Sequence, residues 1–179
     1  MKNWMIYGLV AILIIGSVGG LWYTNREPAS YDFVLAPEDI IASWEFTGLY
    51  KNNAELVSRA QKEISRLETL LGNEDDGFSE YELYVSIANQ YNLLGDGEKE
   101  YRYLKYALAI DSQQTGLAWN NLGALLEKLG AYRSARAAFE KGIIAQPLPQ
   151  YRQVYLEFLM KNYPGDPAIV AEKAALGTK

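Results

Sequence analysis

The chain contains neither cysteine nor histidine. Those absences remove thiolate nucleophiles, imidazole bases, zinc fingers, iron–sulfur ligands and c-type haem attachment. They also remove a lipoprotein anchor, which needs an acylated cysteine. Six prolines among 179 residues, with few isolated valines, argue against an all-β chain. What is plentiful is apolar and aromatic: 49% of residues are hydrophobic, with 14 tyrosines and 4 tryptophans. A packed core is therefore within reach, and wholesale disorder is excluded.

Charge is distributed unevenly. Residues 1–23 hold a single charged side chain, Lys2, so the remainder is more acidic than the whole-chain net charge of −5. Such a surface repels nucleic-acid phosphates, and no nucleic-acid partner is expected.

Residues 4–23 form an uncharged run that predicts a transmembrane helix behind a tail of residues 1–3. Twenty helical residues rise roughly 30 Å, about the hydrocarbon thickness. Trp4 and Tyr7 near one end, with Trp22 and Tyr23 at the other, match an interfacial aromatic belt. A cleaved signal peptide is the competing reading, with Ile6 to Ile15 as its apolar region and Val18 and Gly20 at a cleavage site. The run continues through Leu21 and Trp22, which favours a retained anchor. Lys2 biases the amino terminus to the cytoplasm. The expectation is a single-pass protein of the bacterial inner membrane, with its main domain on the periplasmic side. Gly16 and Gly20 form a small-x-x-x-small pair suited to close helix packing in a membrane.

Residues 24–36, TNREPASYDFVLA, lack helical periodicity and read as a linker. Thirteen residues reach at most about 45 Å, which keeps the domain near the bilayer.

Beyond it the pattern is helical throughout. Over residues 37–80 it predicts a hairpin and loop. Pro37 suits a first helical turn, Ile40, Ile41 and Trp44 begin an apolar face, and Asn52 with Glu55 can cap the next helix. Leu56, Ala60, Ile64, Leu67 and Leu71 form that helix's stripe, and Gly72 ends it. Two stronger units span residues 81–149. In the second, Trp119, Leu122, Gly123 and Leu126 share one helical face. Gly130 marks the turn; Ala135, Phe139, Gly142 and Pro147 follow. Thirty-five residues upstream, Tyr84, Ile87, Ala88 and Tyr91 repeat the first-helix spacing, with Gly95 at the turn and Leu104 and Ala107 beyond. Ser79 with Glu82 forms a capping box, and Asp96 can cap the second helix. Residues 150–179 begin a third unit with Tyr151, Val154, Tyr155 and Phe158, then break at Pro164 to Pro167 into a brief capping helix.

The W-x2-L-G spacing of Trp119, Leu122 and Gly123, with Ala135, Phe139 and Pro147 after it, resembles a tetratricopeptide repeat (TPR). Leu126 replaces the usual tyrosine, Gly142 the usual alanine, and Glu100 stands where the first repeat expects a small residue that keeps the helices from splaying. The resemblance implies an all-α fold of antiparallel hairpins stacked as a short solenoid, with a concave groove lined by first helices. Groove positions are then Val85, Asn89 and Asn92, then Asn120, Ala124 and Glu127, then Val154, Phe158 and Lys161. Asparagine both donates and accepts, which suits a peptide backbone, although these amides can equally be only solvated. Repeats that clamp chaperone carboxyl termini use lysine and arginine at particular groove positions, and here those positions carry valine, asparagine, leucine, glutamate and tyrosine.

No catalytic constellation stands out, and no cofactor or metal is implied. Asn73 to Gly77 is acidic, but aligned on Gly77 as a calcium loop it puts Gly72 and Leu83 at ligand positions. The sequence therefore points to a membrane-tethered adaptor that binds a protein, itself a membrane protein or part of a membrane-associated complex. The alternative is a permanent accessory subunit docked through both the transmembrane helix and the repeats. The bilayer is the second partner, through the N-terminal helix.

Overall fold

The computed structural model describes residues 27–73 and 77–177. The apolar run 4–23, its Gly16 and Gly20, and most of the acidic loop after Asn73 lie outside the described residues. Among the described residues, no helix is long and apolar enough to cross a membrane.

These residues form seven α-helices and no strand. Helix α1 (Ala54–Leu70) begins at Asn53, whose carboxamide accepts from the backbone N–H groups of Glu55 and Leu56. The cap is thus one residue later than the expected Asn52. Its apolar stripe buries Ala60, Ile64 and Leu67. Ile64 and Leu67 pack against Leu83 and Ile87 of α2 (Glu80–Leu94). Helix α2 opens with the Ser79–Glu82 capping box and closes at Gly95, whose φ of 85° favours glycine. Asp96 then caps α3 (Gly97–Ile110), accepting from Lys99 N–H at 3.0 Å.

The second hairpin pairs α4 (Leu117–Lys128) with α5 (Tyr132–Ala145). Gly123 is the point of closest approach: a Cβ there would stand 2.7 Å from the Phe139 ring. Trp119, Leu122, Leu126, Ala135 and Phe139 are all buried between and beneath the two helices. Helix α6 (Pro149–Asn162) follows, with proline in its first turn, and lays Phe158 against Phe139 at 5.1 Å between ring centroids. The short α7 (Ala168–Leu176) buries no residue fully. It is pinned to α6 by Arg152–Glu172 at 2.9 Å, and Asp166, just before it, accepts from Ala168 N–H while binding Arg136 of α5.

Two expectations fail, for one physical reason. Residues 37–53 form no helix, so only one helix of the expected N-terminal hairpin exists. Ile40, assigned to its apolar face, is 83% exposed. Beyond two local turn bonds, Lys51 N–H to Gly48 O and Asn53 N–H to Tyr50 O, the backbone of this segment bonds to other elements. Phe46 N–H donates to Gly95 O, Tyr50 N–H to Leu93 O, and Trp44 O accepts from Gly97 N–H. The segment thereby clasps the α2–α3 turn, and Gly48 meets the backbone of Leu93 to Gly95 with no room for a Cβ. Asp39 is also committed elsewhere. Helix α5 starts at Ala131, which offers no side-chain acceptor. Asp39 supplies it, taking Ser134 N–H at 2.7 Å and Arg133 N–H at 3.3 Å.

The linker assigned to residues 24–36 is, over its described part, a strap. Phe33 is buried. Tyr31 N–H donates to Lys105 O, Tyr101 Oη to Phe33 O, and Ala36 N–H to Ser134 Oγ. Tyr31 and Phe33 meet the buried Trp119 ring edge-on at 5.2 and 5.8 Å. The strap therefore joins α3, α4 and α5.

Asp39→Ala should cost about 0.5–2 kcal/mol through loss of the α5 cap. Ile40→Ala should stay within about 0.5 kcal/mol. Thermal melting followed by circular dichroism tests both, and equal losses would contradict the capping of α5 by Asp39. Gly123→Val should lower stability by about 1–3 kcal/mol by overpacking against Phe139, read from the same melts.

Candidate protein-binding face

The first helices of successive units, α2, α4 and α6, are linked along one side by a row of polar side chains. Asn121 Nδ2 donates to Asn89 Oδ1 at 3.1 Å. Lys128 Nζ donates to Asn92 Oδ1 at 3.1 Å. From α6, Lys161 Nζ and Asn162 Nδ2 both reach Glu127 Oε1 at 2.9 Å. Each contact joins residues 32 to 36 positions apart, close to the repeat length. Neighbouring helical hairpins are thereby tied together along this side.

The nine positions assigned to a groove divide into three sets. Asn89, Asn92, Glu127 and Lys161 lie in the polar row. Ala124 and Val154 are partly buried against the core, and Asn120 is half-buried with a carboxamide oxygen that has no hydrogen-bond partner. Val85 and Phe158 are core residues, 3% and 2% exposed, and present nothing to a ligand. The reason is helical register. Val85 shares a face with the buried Ala88 three residues on, and Phe158 sits one residue before the fully buried Leu159.

Sequence reasoning missed Asn121, Lys128 and Asn162. A signal for them existed: Asn121 and Lys128 are seven residues apart, two helical turns, and so share one stripe of α4. Lys128 also lies over the Phe46 ring at 4.9 Å, which ties the clasp to the row.

Beneath the row sits Glu100. It does not splay the first hairpin as a misplaced large residue would; it is 2% exposed between the helices. Its Oε1 accepts from Asn92 Nδ2 at 2.8 Å, while Oε2 has no partner. Burial is the largest influence and pushes its carboxyl pKa up to about 7; the Asn92 bond and the Lys128 charge offset part of this.

Because the folded-state value lies above that of an unfolded glutamate, ionising Glu100 destabilises the fold. The penalty is absent below about pH 4.5 and grows as pH rises towards about 7. Glu100→Gln should therefore raise the melting temperature at pH 8, by an amount equivalent to about 1–3 kcal/mol. The gain should shrink as pH falls towards 5. A gain independent of pH would point to packing instead of charge.

Elsewhere, a cleft of about 550 Å3 opens between α1 and the α2–α3 turn, lined by Val57, Ile64, Glu68, Tyr91, Asp96 and Lys99 among others. Its main charged groups already have partners: Lys99 pairs with Asp96 at 3.0 Å, and Glu68 accepts from Tyr103 Oη at 2.6 Å. No nucleophile–base arrangement converges there. Among the described residues, no three acidic side chains gather as a metal ion would require.

In comparisons with known proteins, the chain matches no family model, no curated protein and no solved structure.

Proposed function

We propose that this chain is a membrane-tethered TPR-type adaptor whose first-helix face holds a segment of a protein partner. The apolar run 4–23 is its anchor, and its partner is a membrane protein or a component of a membrane-associated complex. One observation carries the reading: the side shared by α2, α4 and α6 is polar and accessible, with Asn89, Lys128 and Lys161 exposed. A face sealed permanently by a neighbouring subunit would be expected to be depleted of charge and richer in apolar side chains. That contrast favours an exchangeable partner over a fixed accessory subunit. The amides of Asn89 and Asn121 donate and accept, as an extended peptide backbone requires.

Anchor and groove give separable results. Full-length protein extracted in mild detergent should carry a co-purifying protein. Asn89→Ala with Asn121→Ala removes one exposed hydrogen bond, so the melting temperature should move by no more than about 0.5 kcal/mol equivalent. The partner should nevertheless be lost. Phe139→Ala empties the core, should cost about 3–5 kcal/mol, and should lose both fold and partner. Wild-type recovery of the partner by the double variant would exclude this face as the binding site.

A further inference from the structure

The strap and the polar row occupy opposite sides of α4. Trp119 carries the strap's two aromatic rings, and Asn121 carries the row's contact to α2. Two residues along an α-helix turn about 200°, so these side chains point in nearly opposite directions. The strap reaches the domain from the outer face of α3: Glu27 and Ser30 border a recess lined by Trp44, Tyr101, Arg102, Lys105 and Tyr106.

From Tyr23, the last residue of the apolar run, to Glu27 are four residue steps, at most about 14 Å of chain. The side where the strap lies also exposes aliphatic surface. Val34 on the strap is 77% exposed, and Ile144, which borders a recess beside Tyr31, Trp119 and Lys141, is 82% exposed. Lys141 itself lies 5.3 Å over the Trp119 ring, its ammonium near those aliphatic groups. Aliphatic groups beside an amphipathic lysine suit the boundary between lipid headgroups and water.

We propose that the strap fixes the attitude of the helical domain on the bilayer, with the outer face of α3 and the strap turned to the lipid surface and the polar row turned to the aqueous side. This rests on the reading of residues 4–23 as a retained membrane span. A free tether of thirteen residues would let the domain tumble. A strap held by the backbone bonds of Tyr31 and Ala36, the Tyr101 hydroxyl and the buried Phe33 ring leaves only the residues before Glu27 as leash. The partner is then presented to the solvent side, and it approaches without displacing lipid.

The absence of native cysteine makes the test direct, since one introduced cysteine is the only labelling site. Full-length chain is reconstituted into phosphatidylcholine vesicles containing a headgroup-labelled acceptor lipid. Donor dyes are placed singly at Arg102→Cys, at Ile144→Cys, at Asn89→Cys, or at Glu157→Cys, an exposed α6 site one helical turn before Lys161. Two helices of about 10 Å each separate the faces, so energy transfer from the first two sites should exceed that from the last two by at least about twofold. Equal transfer from all four sites, or greater transfer from Asn89 and Glu157, would overturn the proposal. Adding Tyr31→Ala and Phe33→Ala should leave flotation with vesicles intact but make the four sites converge; an undiminished contrast would show that the strap does not set the attitude. Failure of the parent chain to float with vesicles would sink the anchor itself, an outcome distinct from floating with no contrast between faces.

Discussion

The burial of Trp119 is the contact on which the remaining packing depends. The indole belongs to α4, but almost everything around it belongs to other elements. Its N–H donates to Ser112 O at 3.0 Å, so the ring is buried without a polar debt. Tyr31 and Phe33 meet it edge-on from the strap, and Lys141 covers it from α5. Gly142 of α5 lies so close that an added Cβ would stand 3.2 Å from the Trp119 Cβ. One side chain thus sets the spacing of the second hairpin and seats the N-terminal segment. It also divides α4 into a strap side and an open side.

Helical periodicity was a good guide where contacts are local. The spacing of Trp119, Leu122 and Leu126, the Ser79–Glu82 box and the turn glycines Gly95 and Gly130 all describe interactions within about thirty residues, and they locate α2 to α5 closely. It failed over residues 27–53 because their contacts lie far along the chain. Nothing near Asp39 in the sequence points to its partner Ser134, 95 positions away. Pro37, Ile40, Ile41 and Trp44 mimic an amphipathic turn, but Trp44, Phe46 and Tyr50 spend their backbone groups on the α2–α3 turn. The groove was half legible for a related reason. A repeat pattern tells which residues stack, yet an error of one position in register exchanges core for surface, as Val85 and Phe158 show.

The polar row has an energetic consequence for any ligand of this face. Its members already satisfy one another across units: Asn121 with Asn89, Lys128 with Asn92, Lys161 with Glu127. A bound peptide would replace these bonds instead of adding to an empty set, and net gains from such exchanges are small, about 1 kcal/mol each. Affinity would then come from several contacts made together, with specificity set by which bonds the partner can substitute. Glu100 places a further constraint below the row. Asn92 bridges its carboxylate and the Lys128 ammonium, so a ligand that drew Asn92 or Lys128 away would leave the buried acid less compensated.

The docking of Asp39 at the start of α5 also imposes an order of events on synthesis. The strap and clasp leave the ribosome before any helix they touch, yet their partners extend to Ser134. At about 5–20 residues per second, that separation is a wait of roughly 5–20 s. During the wait Phe33 and Tyr31 have no Trp119 to pack on, while α2 with α3, and then α4 with α5, close through short local loops. Helical hairpins built on local contacts form quickly, and long loops pay their closure entropy last. The first part of the domain to be made is therefore locked only after both central hairpins, and the molecule remains loose on its N-terminal side until the second hairpin is complete.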